Sequence, residues 1–212
     1  MFYEVHHSEK VLSMKVSCLL NSSVIRATGL LAIVAVLSSC ASVGTVAQDA
    51  ATAFRLTSPG LADNGMMSQK NVGNNPKNPN CVGTNISPPL AWFNAPEKTR
   101  SLAMLMHDHA GRAGLGVVHW VAYGIPANVT SLAEGEASGP SDKIVRGKST
   151  ISEFFAGPCP PHGNAPQHYV FTLIATDLEP GALKPGLTDT ELLESLKGHN
   201  LRAASLVLRY AH

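Results

Sequence analysis

The sequence predicts a mainly β protein with a single folded domain. Short runs rich in β-branched and aromatic residues recur along the chain, each closed by turn residues. Fourteen prolines and eighteen glycines are spread among these runs and mark many turns. Helix signals are confined to one short segment near the C-terminal end. With 212 residues and 44% hydrophobic content, the chain has the material for one substantial core. Its 16 Lys plus Arg are balanced by 15 Asp plus Glu, and no basic run is interleaved with aromatics, so nucleic-acid binding is excluded as an expectation.

Residues 1–47 read as an export segment with a short tail, and residues 48–212 as the domain. A short apolar run, 30–37, follows Arg26 and precedes small residues, as in a secretory signal. It falls short of the roughly 20 residues that span a bilayer. Met14-Lys15 is a more natural start than Met1. Two exits are open: Leu37-Ser38-Ser39-Cys40 has the form of a lipobox, with Cys40 as the lipidated residue, and Thr45-Val46-Ala47 before Gln48 has the form of an ordinary cleavage site. Either route makes the protein periplasmic or secreted. Membrane attachment is expected only through a lipid on Cys40.

Residues 54–58 alternate as an opening strand that Pro59-Gly60 ends. Residues 63–83 are crowded with Asn, Gly and Pro and are expected to form a long loop closing at Cys81. In 85–92 the prolines suit an extended edge, and Trp92 is placed to anchor the core. Residues 102–106 and 117–125 are two buried strands around a Gly-rich bend that carries His107, Asp108 and His109, with His119 on the return. Polar groups at the end of an apolar strand are costly unless partnered, so this bend is either a recessed polar site or a tip that faces water. Residues 127–150 show no periodicity. Residues 157–161, Gly-Pro-Cys-Pro-Pro, form a rigid loop suited to the wall of a pocket. Residues 167–175 are the clearest strand, with Gln167, Tyr169, Phe171 and Leu173 on one face and His168 on the other. Thr188 and Glu191 have capping-box spacing, so 189–197 is predicted helical, closed by Gly198. Residues 203–210 alternate as a last strand.

Several of these segments together carry a resemblance. They are Asn85-Ile86-Ser87-Pro88 with Trp92, Asp108 followed by His119-Trp120, Gly157-Pro158-Cys159-Pro160-Pro161, His168-Tyr169-Val170-Phe171, and Leu196-Lys197-Gly198-His199. In order and spacing the chain resembles the phosphatidylethanolamine-binding protein family, in its bacterial Raf-kinase-inhibitor-like branch, over about 54–210. The resemblance implies an antiparallel β-sandwich with a few short helices and a pocket for phosphate-like or carboxylate anions. Carried over residue by residue, it implies a ligand site of Asp108, His119, Tyr169, Gly157, Cys159 and Pro160, with Gln167 where relatives place a histidine. The family's Asp-Pro-Asp-Ala-Pro run is here Asp108-His109-Ala110-Gly111-Arg112, which keeps only the first acid. Gln167 donates a hydrogen bond but brings no charge, which lowers the expected affinity for a doubly charged phosphate.

In this reading Asp108 orients His119 through a ring N–H and keeps it protonated, leaving the other N–H for the ligand. The ligand is a small anion, a phospholipid headgroup, or an acidic side chain of a protein partner, and no cofactor is expected. The alternative is a hydrolase, either metal-dependent through His107, His109 and His119 or acid–base through Asp108 and His119. The chain shows no nucleophile elbow or phosphate loop to favour it. A surface-acting protease or kinase inhibitor is a third reading. His162 and His199 are expected at the surface. Cys18 and Cys40 fall in the export segment, so Cys81 and Cys159 are the mature chain's thiols and are expected to pair in an oxidising compartment.

Overall fold

The computed structural model describes residues 51–212. The expected export segment, with Cys18, Cys40 and both candidate exits, lies outside the described residues. Nine strands occur among the described residues: β1 (Arg55–Thr57), β2 (Gly65–Met66), β3 (Leu90–Phe93), β4 (Ser101–Asp108), β5 (Val117–Pro126), β6 (Ser131–Leu132), β7 (Val145–Arg146), β8 (Gln167–Thr176) and β9 (Asn200–Tyr210). One helix, α1 (Asp189–Ser195), lies between the last two strands. Its N-terminus carries the capping box that the sequence predicts: the Thr188 hydroxyl accepts from Glu191 N–H and the Glu191 carboxylate accepts from Thr188 N–H. The helix is shorter than the predicted 189–197, because its last turn tightens through Leu196 and Lys197 into Gly198, whose φ of 81° is left-handed.

The strands form a three-stranded sheet, β1-β3-β6, and a six-stranded sheet, β2-β9-β8-β4-β5-β7. One core fills the space between them, with Phe54, Leu56, Leu90, Trp92 and Leu132 packed toward Met104, Met106, Trp120, Tyr169, Phe171 and Leu208. The outer face of the large sheet packs Leu105, Val121 and Tyr123 under Leu187, Leu192 and Leu196 of the α1 region. Strand β4 is therefore covered on both faces, which is why its sequence is a continuous apolar run rather than an alternation. In β8 the period of two holds, with Tyr169, Phe171 and Leu173 inside and His168 exposed.

Two expectations need correction, and one stretch left without elements contains two short strands. Strand β3 occupies the centre of its sheet and is not an edge, since the prolines stop at Pro89 and leave β3 free to pair on both sides. Residues 63–83 are not all loop: β2 runs parallel to the rim of β9, where Asp63 accepts from Val207 N–H at 2.8 Å and covers that sheet edge. The aperiodic stretch 127–150 contains the two-residue strands β6 and β7, too short to show a period.

Candidate functional site

The β4–β5 bend closes through a left-handed turn in which Arg112 and Ala113 take φ values of 51° and 57°. Asp108 ends β4 almost fully buried, and its Oδ1 accepts from the N–H groups of Ala110 and Gly111 at 2.9 and 3.1 Å. Neither position is proline, so both amides are free to make this turn. Gly111 is required here, because a Cβ would lie 2.7 Å from Val117 Cγ2 and 3.0 Å from the other Asp108 oxygen.

The position of His119 depends on a bulge. Met106 pairs with Trp120 and His107 with Val118, so β5 advances two residues against one of β4 and His119 is the extra one. The extra residue resets the alternation. His119 joins Trp120 on the inner side, edge-on to Tyr169 at 5.2 Å, instead of facing outward with Val121. Its Nδ1 donates to the Ala156 carbonyl at 2.7 Å, and its own carbonyl accepts from Ala156 N–H at 3.2 Å. The expected Asp108–His119 hydrogen bond is thus replaced by one to the backbone of 155–157. Burial pushes the imidazole below its ordinary pKa, and the Ala156 carbonyl and the Asp108 charge pull upward without offsetting it. The expectation of a standing imidazolium is corrected: the neutral ring carries its proton on Nδ1 and leaves the Nε2 lone pair free.

Tyr169 is fully buried, and its hydroxyl donates to Gln167 Oε1 at 3.3 Å. Desolvation, with the Asp108 charge adding to it, keeps that hydroxyl protonated far above the usual phenol range. With Oε1 so engaged, the amide nitrogen of Gln167 remains to donate.

Asp108, His119, Gln167 and Tyr169 all line one cavity of about 550 Å³, together with Gly157, Cys159 and Pro160. The wall at 157–161 is held from behind. Asn85, itself left-handed at φ 59°, accepts from Gly157 N–H at 2.7 Å and donates to the Phe155 carbonyl at 2.9 Å. Gly157 approaches the neighbouring loop so closely that a Cβ would fall 1.9 Å from the Asn71 carbonyl oxygen. The Cys81–Cys159 disulfide is present and ties the Asn-rich loop to this wall, beside a hydrogen bond from Gly73 N–H to the Pro158 carbonyl.

The His107–His109–His119 metal alternative is not assembled. His107 lies on the outer face, where it reaches Asp189 Oδ2 at 3.7 Å and stacks on His109, while His119 faces the cavity. Among the described residues no group of three His, Cys, Asp or Glu side chains is arranged to hold a metal ion. His162 is exposed and stacks on His212, and His199 pairs with Asp177 at 2.8 Å, both at the surface as expected.

Two contributions were missed from the sequence. Arg112 lines the cavity mouth, and its guanidinium has no hydrogen-bond or ion-pair partner among the described residues. It adds a fixed positive charge to the one that His119 acquires only on protonation. The loop residues Asn74, Asn75, Asn78 and Asn80 also line the cavity and form part of its rim. The chance of seeing the first lay in the Gly-flanked Arg112, and of seeing the second in the run of asparagines before Cys81.

The fold and the cavity define a two-sheet β-protein with a largely apolar pocket that holds a few polar side chains, placed where β4 ends and β5 and β8 begin. The sequence profile of the family described as phosphatidylethanolamine-binding protein matches residues 57–211, and the chain belongs to that family. It is 37% identical over 145 residues to a UPF0098 protein of Methanothermobacter thermautotrophicus, covering 65% of this chain and 91% of that one. The crystal structure of Escherichia coli YbcL, described as a new member of the mammalian PEBP family, superposes with a TM-score of 0.67 at 27% identity, covering 75% of this chain and 98% of that one. A Mycobacterium tuberculosis protein named as the lipoprotein LppC is 36% identical over 106 residues, 48% of this chain and 51% of that one.

Proposed function

We propose that this is an exported binding protein that captures a small anionic group, phosphate or carboxylate, in the cavity where β4 ends and β5 and β8 begin. The observation that carries the reading is the convergence of a buried imidazole with a free Nε2, a free amide of Gln167 and an unpaired Arg112 on one cavity. Arg112 attracts the anion at the mouth. Inside, Gln167 donates to it and His119 takes up a proton, which turns Nε2 from an acceptor into a charged donor. The Asp108 charge favours that imidazolium. No bond is made or broken, so the role is binding and not catalysis, and the anion belongs to a free metabolite, a lipid headgroup or a partner's side chain.

Export is supported by the Cys81–Cys159 disulfide, which belongs to an oxidising compartment, and by the lipoprotein name of one relative. Thermal-shift and calorimetric titration with phosphate, phosphoethanolamine and acetate tests the binding. Saturable stabilisation by at least one of them, lost in His119→Ala, is expected, and no response to any of the three contradicts the reading.

A further inference from the structure

We propose that the cavity is built for a phosphate carried on a polyhydroxylated carbon skeleton, with a distinct subsite for the hydroxyls on the rim formed by Asn74, Asn75, Asn78 and Asn80. The inference rests on the anion reading above and adds to it the class of the remaining ligand. Size is the first observation. A cavity of about 550 Å³ lies within the ~300–1,000 Å³ range of pockets that enclose drug-sized molecules, and it exceeds a bare phosphate several times over.

The second observation is the hydrogen-bonding state of the asparagines that line it. Asn85 is spent on the scaffold, with its oxygen on Gly157 N–H and its nitrogen on the Phe155 carbonyl. The rim asparagines are different. Asn75 and Asn78 use only Oδ1, accepting from Lys77 and Asn80 N–H at 3.0 Å each, and these turns fix the side chains while leaving both Nδ2 groups to donate. The side chains of Asn74 and Asn80 have no hydrogen-bond partner among the described residues. Carboxamides both donate and accept, which matches hydroxyl groups, and they carry no charge that would attract a second anion or a cation. The loop is held for this role by the disulfide and by the Gly73–Pro158 hydrogen bond, so little ordering accompanies binding. Beside the rim, joined to it through the disulfide, Pro160 and Pro161 also line the cavity and offer apolar faces suited to the C–H side of such a skeleton.

Calorimetry on the intact, oxidised protein tests this with inorganic phosphate, glucose 6-phosphate and glucose. A sedimentation arm with phosphatidylglycerol vesicles distinguishes a lipid-borne phosphopolyol from a free one. Two or more added neutral hydrogen bonds make glucose 6-phosphate bind about tenfold tighter than phosphate. That advantage is expected to disappear in Asn74→Ala/Asn80→Ala, whose truncated side chains hold nothing in the fold. Asn75→Ser/Asn78→Ser, which keeps an oxygen for each turn, gives the same loss, and a far-UV spectrum matching the parent's shows that each variant is folded. Vesicle binding that is lost in the same variants, with glucose 6-phosphate no better than phosphate, supports the subsite and assigns the lipid source. Phosphate binding with no gain from glucose 6-phosphate or vesicles, or a gain that survives in folded variants, overturns the subsite while sparing the anion reading. Absence of binding by phosphate and by every phosphorylated ligand overturns both.

Discussion

Removing the Cys81–Cys159 bond isolates one contribution to stability whose size follows from the chain. The bond closes a sequence separation of 78 residues. For a loop of that length the chain-entropy account gives about 4.5 kcal/mol of stabilisation, acting by restricting the unfolded ensemble. In the native state the loop and wall stay joined without it, through Gly73 N–H on the Pro158 carbonyl and both ends of the Asn85 side chain. The native geometry therefore survives, and the loss appears mainly as an easier unfolding. Residual structure in the unfolded chain lowers the figure, so Cys81→Ser/Cys159→Ser is expected to lose ~2–4 kcal/mol. Urea unfolding followed by fluorescence measures it, with the oxidised parent and the double variant compared at one pH. The midpoint falls and the m-value rises, because the uncrosslinked unfolded state exposes more surface. A loss below about 1 kcal/mol with an unchanged m-value would refute the reasoning. So would peptide mapping of unreduced protein that finds Cys81 and Cys159 unlinked.

Gly157→Ala places a methyl against the Asn71 carbonyl oxygen and Gly73 nitrogen, both backbone, and is expected to cost about 1–3 kcal/mol in urea unfolding. An unchanged midpoint contradicts the close approach. His119 and His107 are both held below the ordinary imidazole pKa, with burial the main cause. The unfolded chain then binds more protons than the native one below about pH 6.5, so their contribution is fully present above that pH and is lost as the pH falls toward their folded values. Ligand-free stability should drop from pH 7.5 to pH 5, less steeply in His119→Gln, and equal slopes would remove His119 from the account. Gln167→His restores a titrating cation beside Tyr169 and should tighten phosphate binding at pH 6 by up to ~1.5–3 kcal/mol, less the desolvation of the new ring. Weaker binding by calorimetry would mean that Gln167 already supplies the better donor.

Local chemistry made much of this fold legible. The alternation of β8 placed Gln167 and Tyr169 on the inner face, and the Thr188–Glu191 spacing placed α1, because each signal lies within a few residues and needs no partner. The family resemblance placed Asp108, His119 and the 157–161 wall around one pocket, and the structure brings those residues together. What stayed hidden depends on distant contacts. The bulge that turns His119 inward exists only in the register between β4 and β5, and strict alternation would have put that ring outside. The partner of His119 Nδ1 is a carbonyl 37 residues away, so no spacing rule could displace Asp108 from that role. The parallel pairing of β2 with β9 joins segments from opposite ends of the domain, and the two-residue strands are too short for any period to register.

Proton linkage of anion binding tests the central claim most directly. Titrating phosphate into the protein at pH 7 by calorimetry, in buffers of widely different ionisation enthalpy, counts the protons exchanged on binding. Phosphate exchanges part of a proton itself near this pH, equally in both proteins, so a neutral, buried His119 that becomes charged against the anion predicts greater proton uptake in the parent than in His119→Gln. Binding with equal proton exchange in the two proteins would contradict the role assigned to His119.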